Sequence, residues 1–207
     1  MARVVNIHPE NPQTRLLTQA VEFIRQGAIV ALPTDSCYAL GCHLGDKEAL
    51  DRIRAIRQID DRHHLTLMVR DLSQIATYAR VDNAQYRMLK AATPGSYVFI
   101  LEGSKELPRR VMHPKRKTIG LRIPEHPVAL ALLEELGEPL LTCTLQLPGD
   151  EAPLTEGWEI QDRLDDHIEW ILDAGYCGTE PTTVIDLTGP SPELVRAGRG
   201  PLEPFGL

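Results

Sequence analysis

The chain has 207 residues and a formal net charge of −7, with 43% hydrophobic and 25% charged residues. These are the proportions of a globular protein, and they exclude a disordered tail or a collagen-like chain. No apolar run approaches the ~20 residues of a membrane-spanning helix; the longest are Ala28–Leu32, Tyr97–Leu101 and Val128–Leu133. The first nine residues turn polar too soon for a secretory signal, so a cytoplasmic protein with no membrane contact is expected.

Asn11 followed by Pro12 reads as an N-cap and first helical residue, and Gly27 closes that helix; Leu16, Leu17, Ala20, Val21 and Ile24 form its apolar face. Ala28–Leu32 is a continuous apolar run expected of a strand buried on both faces, with a loop after it. Asp46 caps a second helix reaching about Ile59, and Leu65–Val69 is a strand. Asp82 caps a helix ending near Lys90, after which Thr93-Pro94-Gly95 turns the chain into the strand Ser96–Glu102. Thr118–Ile123 is a further strand. His126-Pro127 opens a helix that stops at Gly137, and Leu140–Leu145 returns as a strand. A helix around Ile160–Leu164 and strands near Ile168–Leu172, Thr182–Leu187 and Glu193–Arg196 complete the pattern. No segment repeats or shifts composition like a linker, so residues 1–207 are read as one α/β (α+β) domain, a twisted mixed open sheet with packed helices.

Four cysteines, at 37, 42, 143 and 177, have neither C-x-x-C nor zinc-site spacing and are read as free thiols, Cys143 as a small buried hydrophobe. No metal site is expected. Charge is unevenly spread. Lys105–Arg122 holds seven Lys or Arg against Glu106 alone, and Glu151–Asp173 holds eight acids against Arg163 alone. A local basic stretch suits either an anionic ligand such as a triphosphate or RNA backbone, or a solvated loop. Neither G-x-G-x-x-G nor the P-loop pattern occurs, so phosphate must be held another way. Aromatic residues are only 5%, which disfavours a base-stacking platform; Tyr38 is the one aromatic placed near the site.

Leu32-Pro33-Thr34-Asp35-Ser36-Cys37-Tyr38-Ala39-Leu40-Gly41-Cys42 leaves the end of a buried strand, where open α/β sheets build ligand sites. It is similar to the P-T-[DE]-T-x-Y-G-L-G signature of the YrdC/YciO family of threonylcarbamoyladenylate synthase-like proteins. Thr93-Pro94-Gly95, Thr118–Pro127 (resembling T-x-x-x-R-x-P-x-H-P), Thr182–Leu187 (S-T-[IV]-[IV]-D) and Leu194–Gly198 (L-R-x-G) follow in family order. The resemblance spans about residues 10 to 200 and is strongest to the YciO branch.

The resemblance implies a sheet enclosing a large positively charged concave surface. It also implies a reaction in which L-threonine, bicarbonate and ATP with Mg²⁺ give threonylcarbamoyl-AMP and pyrophosphate, the donor for modifying adenosine in tRNA. Family placement assigns Thr34, Arg122 and Thr182 to threonine, and Arg57, Thr118, Thr144, Gln146 and Arg196 to the nucleotide, with Arg57 and Arg122 catalytic. Arginine suits a carboxylate because its planar fork donates two parallel hydrogen bonds. The phosphoryl step needs positioning and charge stabilisation and no protein nucleophile, so Cys37 is not required as one.

The chain also departs from the family. Its Lys-x-Arg pair aligns with Arg57-Gln58-Ile59, its Ser-x-Asn with Thr144-Leu145-Gln146, and a strand histidine of some members with Met68. One lost charge-assisted contact costs about 1.5–3 kcal/mol, one to two powers of ten in binding or rate. Arg62, His63 and His64 stand close enough in sequence to replace the missing cation. Two rivals therefore stay open: an RNA-binding module for double-stranded or structured RNA in the same cleft, and another nucleotidyl or carbamoyl transfer with a different amino acid. Oligomeric state is not legible.

Overall fold

The computed structural model describes residues 1–207. In chain order the elements are β1 (Arg3–Asn6), α1 (Thr14–Arg25), β2 (Val30–Leu32), β3 (Ala39–His43), α2 (Lys47–Arg57), β4 (Thr66–Met68) and α3 (Leu72–Tyr78). They continue with α4 (Asn83–Ala92), β5 (Tyr97–Glu102), β6 (Thr118–Arg122), α5 (Pro127–Leu136), β7 (Leu140–Thr144), α6 (Gly157–Leu164), β8 (Trp170–Asp173), β9 (Thr183–Asp186) and β10 (Glu193–Arg196). The strands form one mixed sheet in the order β1-β8-β2-β3-β7-β4-β6-β5-β9-β10. No helix is long and apolar enough to cross a membrane.

Local chemistry explains several helix boundaries. Asp46 accepts from the Ala49 N–H at 2.9 Å and opens α2, and Asp82 forms a reciprocal capping box with Gln85 at the start of α4. Gly137 ends α5 at φ 70°, the left-handed conformation that glycine adopts without strain. The first helix departs from expectation. It begins at Thr14 behind Gln13, because His8 Nδ1 accepts from the N–H groups of Glu10 and Asn11 (3.2 and 3.0 Å) and holds that segment in a turn. Three elements went unpredicted: β1, α3 behind the Asp71 cap, and β3, which lies within the expected loop after β2. Ala39–His43 escaped notice because its identity as a strand depends on pairing with β2 and β7.

Side chains alternate across a strand, so each strand serves two surfaces. On one face Leu40, Leu67, Phe99, Leu121 and Ile185 join a continuous apolar core with Leu50 and Ile53 of α2, Ile75 of α3, Leu89 of α4 and Ile160 of α6. On the other face α1 and α5 cover Val5, Val30, Leu32, Leu140, Trp170 and Leu172. That cover ends partway along the sheet. Beyond it the same face carries Thr142 and Thr144 on β7, Thr66 on β4, Gly120 on β6, Val98 and Ile100 on β5 and Val184 on β9, none of them part of either apolar core. Register places Thr66 beside both Thr142 and Gly120, Gly120 beside Ile100, and Val98 beside Val184.

Candidate functional site

The uncovered stretch of sheet is the floor of a cavity of about 630 Å³, a volume usual for small-molecule sites. Its wall on one side is the loop leaving β2. Thr34 Oγ1 donates to the Cys37 carbonyl at 2.6 Å and accepts from the N–H groups of Ser36 and Cys37 at 3.1 and 3.2 Å, so the loop folds around this one hydroxyl. The fold of that loop delivers Asp35 to Arg122, which ends β6. Arg122 Nη2 donates to Asp35 Oδ1, and Ser96 Oγ donates to the other carboxylate oxygen at 2.9 Å. Arg122 is buried and Asp35 nearly so. Burial pushes the Arg122 pKa down from its ordinary value, and Asp35 opposes that shift. Arg122 Nε has no partner.

Two more arginines are held by backbone carbonyls. Arg57 lies in the last turn of α2, where Gln58 at φ 51° ends the helix, and donates through Nη1 to the Thr144 carbonyl; its Nε is also unpartnered. Arg196 on β10 donates through Nη2 to the carbonyl and hydroxyl of Thr182 at 2.8 and 2.9 Å. Gln146 Nε2 donates to the Asp150 carbonyl at 2.9 Å and tightens the loop after β7, which brings Glu151 to the cavity.

The segment after α2 contributes Arg62, His63 and His64. His64 Nε2 lies 2.8 Å from Thr118 Oγ1, and its ring stacks on His113 with centroids 5.2 Å apart. His63 is held below the ordinary imidazole pKa by burial first and then by Arg57, His64 by burial and then by His113 and Arg116. Both shifts favour the uncharged imidazole, which leaves Arg62 as the cation that this segment brings to the cavity. Burial, followed by Cys177, pushes the Cys37 thiol up to about 11, which leaves it a thiol and not a nucleophilic thiolate.

Of the residues assigned from sequence, Arg57, Arg122, Thr144, Gln146, Thr182 and Arg196 meet around this cavity. Thr34 and Thr118 do not line it: the first is enclosed by its own loop, the second is screened by its bond to His64. Ile59 packs against the core and Met68 lies beneath α1 and α5, so neither shapes the wall. The basic stretch is corrected more strongly, because Arg122 is its only member on the cavity. Arg110 donates to the Gly45 carbonyl, Arg116 pairs with Asp186 at 2.7 Å and Lys117 donates to the Pro114 carbonyl. Sequence reasoning missed the floor threonines Thr66 and Thr142, the Asp35–Arg122 pair and Glu151. Thr118 and Gly120, Thr142 and Thr144, and Thr66 two residues before Met68 stand at alternate strand positions, and that alternation was the available signal for a partly polar sheet face.

Known proteins share this fold. The Sua5/YciO/YrdC sequence model, described as "Telomere recombination", matches residues 22–198. The "Uncharacterized protein YciO" of Escherichia coli (strain K12) is 53% identical over 205 residues, covering 99% of this chain and all of that one, and the E. coli YciO crystal structure superposes with a TM-score of 0.96. The threonylcarbamoyl-AMP synthase of Pyrococcus abyssi is 31% identical over 206 residues, covering 98% of this chain and 59% of the synthase. The crystal structure of P. abyssi Sua5 complexed with L-threonine superposes with a TM-score of 0.89 at 29% identity, again over 98% of this chain and 59% of that one. With its family motifs in order, its fold superposing on both relatives and the family model spanning most of its length, this chain belongs to the Sua5/YciO/YrdC family.

Proposed function

We propose that this protein joins an amino acid, bicarbonate and ATP into a carbamoyl-adenylate with release of pyrophosphate, L-threonine being the amino acid and threonylcarbamoyl-AMP the product. The observation that carries the reading is the convergence of three arginines, Arg57, Arg122 and Arg196, from three separate elements on one cavity. Guanidinium groups gathered on one cavity suit an anionic ligand, because their planar forks donate paired hydrogen bonds to carboxylate and phosphate oxygens. Relatives named threonylcarbamoyl-AMP synthase, one of them crystallised with L-threonine, support the choice of substrate.

In this reading Asp35 and Ser96 orient the Arg122 guanidinium so that its remaining N–H groups take the amino-acid carboxylate, and Thr182 offers a hydroxyl beside it. Arg57 and Arg196 stabilise the triphosphate, which arrives with Mg²⁺ as the substrate complex, and Thr144 and Gln146 lie beside the nucleotide. The carbamate oxygen attacks the α-phosphorus, the new P–O bond forms, and the bond to pyrophosphate breaks. Positioning and fixed charge supply this step. Ile59 withdraws to the core and Arg62 is the cation that this segment brings to the cavity, at a position changed from that of a Lys-x-Arg synthase, so slower turnover is expected. The alternative of an RNA-binding module has less support, since most of the basic stretch lies away from the cavity.

The test is pyrophosphate release from ATP and bicarbonate with each of the twenty amino acids, Arg122→Ala and Arg57→Ala serving as controls. Threonine-dependent release lost in both variants supports the synthase. Absence of release with every amino acid, together with RNA binding that weakens steeply as salt rises, moves the assignment to the RNA-binding module.

A further inference from the structure

The carbamoylation half of the reaction needs a proton acceptor that phosphate-binding arginines cannot provide. An amino acid at neutral pH is an ammonium ion with no lone pair on nitrogen. We propose that His63 accepts that proton, making it a catalytic base for the carbamate-forming step; this rests on the synthase reading above.

Two histidines reach the cavity, and their surroundings separate their roles. His64 is committed to the protein: its Nε2 meets Thr118, and its ring lies on His113, whose Nδ1 accepts from the N–H groups of Lys115 and Arg116 at 3.3 and 3.2 Å. It ties the loop after β5 to the rim. His63 is anchored only through its backbone N–H to the Asp60 carbonyl at 3.3 Å, and neither ring nitrogen has a protein partner. Its ring is free to meet a ligand and, being on an exposed segment, to pass a proton to water.

The charges around His63 favour its neutral form. Arg57 from α2 and Arg196 from β10 disfavour a second positive charge, against Asp60 on its own segment; Arg62 and His64 adjoin it, and Arg122, Glu151 and Cys37 lie elsewhere on the cavity wall. The step balances. The ammonium gives one proton to His63, the freed amine forms an N–C bond to the bicarbonate carbon, and the C–O bond to hydroxide breaks. Hydroxide leaves with the second amine proton as water, the carbamate remains, and imidazolium returns its proton to solvent.

The test is pyrophosphate release across pH in the whole protein and in His63→Gln, His63→Ala and the wild type with added imidazole. A general base contributes about 10²–10⁴-fold, so His63→Gln should lose at least about a hundredfold in kcat at pH 7 while its ATP affinity by calorimetry stays within a few-fold. The variant's rate should climb with pH as the amine itself deprotonates, and imidazole should restore part of the His63→Ala rate. An unchanged pH profile with full kcat overturns the role of His63 and leaves the synthase standing. No release by the wild type with any amino acid overturns both.

Discussion

One sheet face is built in two ways. Over β1, β8 and β2 its side chains are Val5, Val30, Leu32, Trp170 and Leu172, and two helices close over them. Over β7, β4 and β6 the same face carries Thr142, Thr144, Thr66 and Gly120, with no part in either apolar core, and the space above is a cavity. Apolar positions gain from burial under a helix, at roughly 25 cal/mol per Å². Hydroxyls and a glycine gain little from such cover and leave room and hydrogen-bonding capacity for a ligand. The helical cover is therefore decided position by position, by what stands at every second residue of each strand. The two halves must also be stabilised differently: the covered one by packing, the open one by polar pairing.

The largest effect is expected where the open half relies on charge. Asp35→Asn leaves the Arg122 guanidinium buried without its counter-charge and should cost about 3–5 kcal/mol, read from urea unfolding. A loss near zero would show that the pair contributes nothing to the open half. In the covered half Leu132→Ala, at a fully buried position of α5, should cost about 2–5 kcal/mol while leaving ATP affinity by calorimetry unchanged. Weakened binding there would mean that the two halves are not independent.

Thr142→Val removes the hydroxyl that donates to the Thr66 carbonyl at 3.0 Å, so stability should fall by about 1 kcal/mol. The same change puts a methyl group on the cavity floor, and a several-fold loss of ATP affinity would mark that floor as ligand-contacting.

The smallest effect is one of pH. Burial acts to raise the Asp186 pKa, but the bonds from Thr188 and Arg116 prevail and hold it below the usual carboxylate range. A carboxyl with a depressed folded pKa stabilises fully above its unfolded value of about 3.9, and that contribution fades as pH falls through the folded pKa. Asp186→Asn should therefore melt below the wild type at pH 7, and the gap should narrow toward pH 3. A gap that stays constant would trace the loss to something other than the carboxylate charge.

What was legible in the sequence was local. Asp46, Asp82 and Gly137 act on backbone groups within a few residues, so the limits of α2, α4 and α5 could be read in advance. The loop signature at Leu32–Cys42 and the ordered motifs after it identified the family, and these motifs together with the altered Lys-x-Arg and Ser-x-Asn positions identified six of the cavity residues. Where a local turn intervened, reading failed: His8 Nδ1 accepts from the N–H groups of Glu10 and Asn11, and the helix begins only at Thr14.

Tertiary structure alone decided the remainder, because the contacts involved join residues far apart in the chain. Asp35 reaches Arg122 across 87 residues, and His64 reaches Thr118 across 54. Those bonds screened Thr118 from the cavity and separated a committed His64 from a free His63, a distinction two adjacent identical letters cannot carry. The sheet order, with β8 between β1 and β2 and β7 between β3 and β4, set which threonines stand together on the open face. Strand pairing is a hydrogen-bonded choice among distant segments of similar composition, so periodicity identifies a strand without naming its neighbour.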